Sequence, residues 1–316
     1  MKELISVIIP VYNRAELIVR TLDSVRNQSI LPDEIIVVDN GSTDSTHQVV
    51  ENWIKSNNKD ISINLVEEKM PGAAAARQRG FEISKGEYVI FLDSDDEMLP
   101  GLIEKTQIII KQNPEIDLIC WPVIIINENG EIRRPPFDCH HAMENHLIHS
   151  LLRTVGYIVK RKFMAKSGGW NVCLKVWDDL EAGFRLLYNQ PQIAGINEPL
   201  VKVNSHSASI TGVKFSSKSG DWEKTLGAIR KINTLGNHLY KKKIEKIISY
   251  REVILAASYY KEGAREKARL LFEKVIRKNK GIVRAQLLAT YHYTKIGGRG
   301  AWRLFFSPTH RFFSRG

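Results

Sequence analysis

Apolar residues in the first hundred positions fall into short dense runs, separated by stretches with helical spacing. Ser6-Val-Ile-Ile-Pro-Val-Tyr12, Glu34-Ile-Ile-Val-Val-Asp39 and Tyr88-Val-Ile-Phe-Leu92 are nearly unbroken apolar runs, the pattern of strands buried on both faces. A weaker strand is predicted over 61–67. Between them, 15–28 places Leu17, Ile18, Leu22 and Val25 on one helical face. Gly41-Ser-Thr-Asp-Ser45 supplies turn residues and an N-cap for a helix reaching Trp53, and 72–84 is an alanine-rich helix. Strand alternating with helix predicts an α/β fold, a Rossmann-like, mostly parallel sheet flanked by helices.

Beyond residue 100 the pattern predicts a helix over 102–112, a strand over 117–126, and a hairpin-like turn at Asn127-Glu-Asn-Gly130. A His-rich segment over 138–153 runs into a helix, followed by strands over 155–160 and 199–203, the latter ending near His206. From about 220 the texture is helical throughout, with helices predicted over 220–250, 251–261, 264–279 and 282–295. The expected division is a domain over 1–215, in two halves (1–100 and 101–215), and a helical C-terminal region over 216–316.

Charge sharpens that division. The net charge of +11 averages two unlike parts. Residues 1–215 carry 23 Lys/Arg against 28 Asp/Glu, whereas 216–316 carry 23 against 7. Such asymmetry points to an anionic partner for the C-terminal region. Three scattered cysteines, Cys120, Cys139 and Cys173, suit a reducing compartment better than a disulfide framework. No apolar segment approaches the ~20 residues of a membrane span. The N-terminus runs directly into a strand and is not expected to be a secretory signal.

The chemistry gathers at the strand exits. Pro10-Val-Tyr-Asn-Arg14, Val38-Asp-Asn-Gly-Ser-Thr-Asp44 and Leu92-Asp-Ser-Asp-Asp96 follow successive strands. Exits of parallel strands share one sheet edge, where ligands of such folds bind. Asp93, Asp95 and Asp96 would repel one another unless a hard cation or solvent lay between them. Mg²⁺ and Mn²⁺ favour oxygen ligands and pair with substrate phosphates. Pro71-Gly-Ala-Ala-Ala-Ala-Arg-Gln-Arg-Gly80 adds small residues and two arginines, Arg77 and Arg79, suited to phosphate.

These ordered motifs resemble the family-2 glycosyltransferases, inverting enzymes of the GT-A fold that use nucleotide-diphosphate sugars, over residues 4–212. The resemblance implies that Pro10, Tyr12, Asn13, Arg14, Asp39, Arg77 and Asp93 hold the nucleotide. It implies that Asp95, with Asp93 and His206, binds Mn²⁺ or Mg²⁺. Val176-Trp-Asp-Asp-Leu-Glu-Ala-Gly-Phe-Arg185 is similar to the family's Glu-Asp element, which makes Asp179 the catalytic base with Asp178 as its substitute. Asp178 stands where the family usually has Glu. Gly168-Gly-Trp170 is similar to the glycine pair before that helix. Trp170 and Trp177 could stack on an acceptor sugar or pack the core.

The implied activity is sugar transfer from a nucleotide donor, uridine-based by expectation, to a saccharide or lipid-linked hydroxyl acceptor in surface-polysaccharide or glycolipid assembly. A cytoplasmic location is expected, peripheral on the inner face of the plasma membrane. Two other classes fit less well. A sugar nucleotidyltransferase would want a Gly-rich basic first loop, which 10–14 is not. A non-catalytic adaptor leaves the three intact aspartates unexplained. Residues 299–315 interleave Arg with Trp302, Phe305, Phe306, Phe312 and Phe313, which suits an anionic membrane surface better than nucleic acid. The Cys139-His-His141, His146 and His149 cluster matches no standard zinc spacing.

Overall fold

A computed structural model describes residues 4–57, 61–205, 214–235 and 240–298. The chain divides into two compact units, Met1–Ser209 and Ile210–Gly316. In the first, β1 (Ile5–Val11), β2 (Glu34–Asp39), β3 (Ser62–Glu67) and β4 (Tyr88–Phe91) alternate with α1 (Ile18–Arg26), α2 (Thr46–Asn57) and α3 (Ala73–Ile83). Then come β5 (Glu97–Met98), α4 (Leu102–Gln112), β6 (Leu118–Cys120), β7 (Val123–Asn127), β8 (Ile132–Arg133) and α5 (Ala142–His149). The unit closes with β9 (Tyr157–Lys160), α6 (Arg161–Lys166), α7 (Asp178–Tyr188), β10 (Ile193–Gly195) and β11 (Val201–Ser205).

Seven strands form the main sheet in the order β10-β6-β9-β4-β1-β2-β3. All its pairings are parallel except those of β9, which runs antiparallel to β4 and β6. A smaller sheet, β5-β11-β7-β8, stands beside it. The period-2 pattern of the strands explains both layers of core. Ile5, Val7, Ile9, Ile35 and Val37 face one cluster, whereas Ile8, Ile36, Val38, Val89 and Phe91 face the other. The expected mostly parallel sheet flanked by helices is the one observed.

Two boundaries differ from expectation. The single strand predicted over 117–126 is two strands in different sheets. Pro122 falls between them, and a proline cannot donate to a continuing ladder. In the C-terminal unit, α8 (Asp221–Leu235) ends fifteen residues before the break predicted at 250/251, and α9 (Lys241–Lys261) runs straight through it. Tyr250-Arg-Glu252 carries no helix breaker, whereas Gly236-Asn237 does. Helices α10 (Arg265–Lys278) and α11 (Gly281–Lys295) complete this unit, and both pack on α9. A half-buried Arg230 ties α8 to α9 through Glu245 and Glu252. No helix among the described residues is long and apolar enough to cross a membrane.

Gly80 explains how α3 lies so close to the sheet. A Cβ there would meet Ile8 Cγ2 at 2.4 Å and Val38 Cγ2 at 3.2 Å. Gly80→Val is therefore expected to push α3 off β1 and β2, at a cost of about 1–3 kcal/mol from overpacking. Thermal melting checks this; an unchanged midpoint would show that the helix can yield without loss.

Candidate active site

The exits of β1, β2 and β4 open on one edge of the main sheet, and Pro10 shapes that opening. Backbone groups of Leu4 and Ile8 bond to β4, whereas those of Ile5 and Val11 bond toward β2. Pro10 follows Ile8 on the β4 side, and the β1–β4 pairing ends at Ile8 with Phe91. The missing N–H thus falls where the two strands part, so no ladder bond is lost. Pro10 itself is buried in register with Val38. It shapes the exit, and as a buried residue it offers a nucleotide little surface of its own.

The next residues tie the β1 exit to the loop after β2. Asn13 adopts φ 50°, a left-handed conformation that asparagine tolerates. Its Oδ1 accepts from the Thr43 N–H at 2.8 Å, and its own N–H donates to Ser42 Oγ at 3.0 Å. Asp44 accepts from the Thr46 N–H at 2.9 Å, the helix-capping role of a short acidic side chain at the start of α2. Asp39 is buried; Oδ1 accepts from the Ser42 N–H at 2.9 Å and Oδ2 lies 3.1 Å from His47 Nδ1. A carboxylate has about four acceptor positions, so these bonds fix Asp39 without exhausting it. Tyr12 stands exposed beside them.

The rest of the site is built on Arg77, a buried side chain from α3. Its Nη2 donates to Asp93 Oδ1 at 2.7 Å and its Nη1 to Asp178 Oδ2 at 2.6 Å. One guanidinium thus joins the exit of β4 to the first residue of α7. Burial alone would lower its pKa, but Asp178 and Asp93 outweigh that and hold it charged. The Arg77 guanidinium carbon lies 4.9 Å from the centre of the Trp170 ring, and Phe91 meets the same ring edge-on with centroids 5.0 Å apart. Trp170 is 3% exposed. The acceptor-stacking role considered for it gives way to the packing alternative, because arginine and phenylalanine already cover the ring.

The loop carrying Trp170 is itself pinned. Gly168 and Gly169 both have positive φ, at 90° and 62°, a conformation that glycine adopts at little cost. Arg185 on α7 donates to the carbonyls of Ser167 and Gly169 and pairs with Glu181 at 2.8 Å. Gln78 Oε1 accepts from the Trp170 N–H at 2.8 Å. Trp177 is half-buried at the N-terminus of α7 with φ 50°, an uncommon conformation for a bulky residue that sets the entry to the two aspartates.

Asp178 and Asp179 differ in their partners. Asp178 is held by Arg77. Asp179 Oδ1 accepts from the Leu180 N–H at 2.8 Å, and Asp179 makes no ion pair among the described residues. Burial pushes both carboxyls above the ordinary range; Arg77 opposes this for both, and Arg153 also does so for Asp179. Asp93 is likewise raised, by burial first and by Asp95.

Asp95 lies 3.5 Å from Arg14 Nε, and its backbone carbonyl accepts from Arg20 Nη2 and Asn204 Nδ2, each at 2.9 Å. Asp96 is buried, raised well above the ordinary range by burial and by Asp93 and Asp95, and accepts from the Asn204 N–H at 3.0 Å. It ties the β4 exit to β11. Arg20, Asn204 and Gln78 had no signal in the local sequence, because their partners at the site lie between 75 and 109 positions away, and Arg153 bonds locally only to the His149 carbonyl while acting on Asp179 through its charge. His206 and 299–315 lie outside the described residues. His146 is buried and bonded between the Leu180 carbonyl and the Leu152 N–H. Among the described residues no three His, Cys, Asp or Glu side chains form a metal cluster by themselves.

With this arrangement in place, the comparisons are specific. The family model described as glycosyl transferase family 2 matches residues 6–168. The chain belongs to that family. It is an enzyme of transferase type. Over 290 residues it is 29% identical to an uncharacterized glycosyltransferase of Haemophilus influenzae, covering 88% of this chain and 92% of that protein. Over 172 residues it is 31% identical to the amylovoran biosynthesis glycosyltransferase AmsB of Erwinia amylovora, covering 51% of this chain and 56% of that one.

Solved structures share the GT-A fold. Staphylococcus aureus TarS 1–349 in complex with UDP-GlcNAc superposes with a TM-score of 0.67 at 19% identity, covering 93% of this chain and 87% of that one. The mannosyltransferase PcManGT from Pyrobaculum calidifontis, in complex with GDP-Man and Mn²⁺, gives 0.57 at 20% identity, covering 94% and 81%.

Proposed function

We propose that this enzyme is an inverting transferase that moves a sugar from a uridine-diphosphate donor to a hydroxyl acceptor in the assembly of a cell-surface polysaccharide or glycolipid. The observation that carries this reading is Arg77, which joins Asp93 to Asp178 at one sheet edge and leaves Asp179 beside them without an ion pair among the described residues. The named relative in amylovoran biosynthesis and the UDP-GlcNAc complex of TarS support the acceptor and donor classes.

Asp179 is the base in this reading. It takes the proton from the acceptor hydroxyl as that oxygen attacks the anomeric carbon, a contribution worth roughly 10²–10⁴-fold. The bond to the nucleoside diphosphate breaks as the new bond forms, so one displacement inverts the centre and no enzymic nucleophile is needed. Asp178, held by Arg77 at 2.6 Å, is the poorer base and serves to orient that arginine. Tyr12, Asn13, Arg14 and Asp39 take the nucleoside.

The donor set near Asp95 fits a hard cation. It offers carboxylate oxygens from Asp95 and Asp93, and Mg²⁺-type ions complete such partial sets with phosphate oxygens and water. Asp95 and Asp93, joined by His206, would hold Mn²⁺ or Mg²⁺, which would offset charge on the departing diphosphate. A cytoplasmic location belongs to this reading, because three scattered cysteines do not make a disulfide framework.

Thermal melting with Mn²⁺ and UDP, GDP, dTDP or CDP, repeated with a chelator, tests the reading. A ligand at 100 times its dissociation constant adds about 2.7 kcal/mol of stability. A metal-dependent rise in midpoint is expected with UDP. A rise with GDP alone would move the donor class, and no rise with any nucleotide from folded protein would overturn the site.

A further inference from the structure

Helix α11 is amphipathic in an inverted sense. Leu287, Thr290, Tyr291 and Thr294 are buried on one face, which packs on α9. At 100° per residue the opposite face is formed by Ile282, Ala285, Ala289, His292, Tyr293 and Ile296. All six are exposed, with Ile282 at 75%, Tyr293 at 49% and Ile296 at 85%. That face carries no Asp, Glu, Lys or Arg, although an outward helix face normally carries them.

The charge around this stripe identifies its occupant. Glu273 is the last acidic residue of the chain. The 43 residues from Lys274 onward hold ten Lys or Arg and no Asp or Glu. Arg277, Lys278, Lys280 and Arg284 are exposed near the N-terminal end of the stripe. A second copy of this face would bring like charges together, which disfavours self-association. Nucleic acid would suit the cations but leave the isoleucines in water. An apolar strip flanked by cations matches the boundary between headgroups and acyl chains of an anionic bilayer.

We propose that the outer face of α11 is a membrane-binding surface, with Ile282, Tyr293 and Ile296 entering the headgroup region of an anionic lipid bilayer and the flanking Lys and Arg side chains meeting lipid phosphates. Its residues are none of those assigned to the donor site, so its test does not depend on transferase activity.

The test is co-sedimentation of the full 316-residue chain with phosphatidylcholine vesicles, with and without phosphatidylglycerol, at low and high salt. Parent protein is expected to sediment with the anionic vesicles only, and less in high salt because exposed charges are screened. The variant Ile282→Ser/Tyr293→Ser/Ile296→Ser is expected to partition about tenfold more weakly or worse, since each side chain loses apolar burial. Its melting midpoint and nucleotide response should match the parent, because none of the three lies in the core.

Equal binding by the triple variant would assign any membrane affinity elsewhere and overturn the proposal. So would failure of the parent to bind anionic vesicles. Light scattering supplies two further overturning results: a dimer that the triple variant abolishes would make the face a self-association surface, and a complex with a random oligonucleotide that the variant weakens would make it a nucleic-acid surface.

Discussion

Asp179→Asn is expected to lower sugar transfer about 10²–10⁴-fold while leaving the nucleotide-induced melting shift intact, because the base acts on the acceptor and not on the donor. Asp178→Asn should behave differently. It removes half of the anchor on Arg77, so it should also lower the melting midpoint. If Asp178→Asn gave the larger loss of turnover with an unchanged midpoint, the two roles would be exchanged.

The pH profile carries the same information. Burial raises both carboxyls, with Arg77 opposing. The base works only as the carboxylate, so activity holds at high pH and falls as pH drops through a raised value. The acid limb of kcat/KM should therefore lie above the ordinary aspartate range of about 4. A limb at or below that range would remove Asp179 from the role of base.

Arg77→Met should be the most destabilising single change at the site. The guanidinium bridges Asp93 and Asp178 at 2.7 and 2.6 Å, and its removal leaves two part-buried like charges without the cation that joins them. Breaking a fully buried pair from one side costs about 3–5 kcal/mol, and the loss here is smaller because solvent reaches the Asp93 side chain, which is 33% exposed. Methionine keeps most of the volume over Trp170, so the loss would be electrostatic and not a cavity. Arg77→Lys should recover only part, since one compact ammonium cannot meet two carboxylates with a planar fork. The acid limb should move further up in Arg77→Met, because the opposing positive charge is gone. A parental midpoint in both variants would show that solvent or another cation replaces the arginine without cost.

These two expectations show where local pattern was a sufficient guide. The strands β1, β2 and β4 were legible because each is a dense apolar run, and burial on both faces of a parallel sheet requires such runs. The acidic exit 93–96 and the arginine at 77 were legible because their residue types are costly away from a partner. Trp170 was ambiguous for the same reason. An indole suits a sugar platform or a core equally, and only the packing of Phe91 and Arg77 on its ring separates the two.

The sequence by itself determined the α/β class, the family, the order of strand exits and the basic character of the C-terminal region, since all of these depend on contiguous residues and their period. Tertiary structure alone decided that Arg77 joins Asp93 to Asp178 across 16 and 101 positions, and that Asn204 reaches Asp95 and Asp96 across more than a hundred. It also decided that the apolar side of α11 faces outward. Periodicity marks which residues share a helix face, but which of two faces is covered depends on what the rest of the chain places against it.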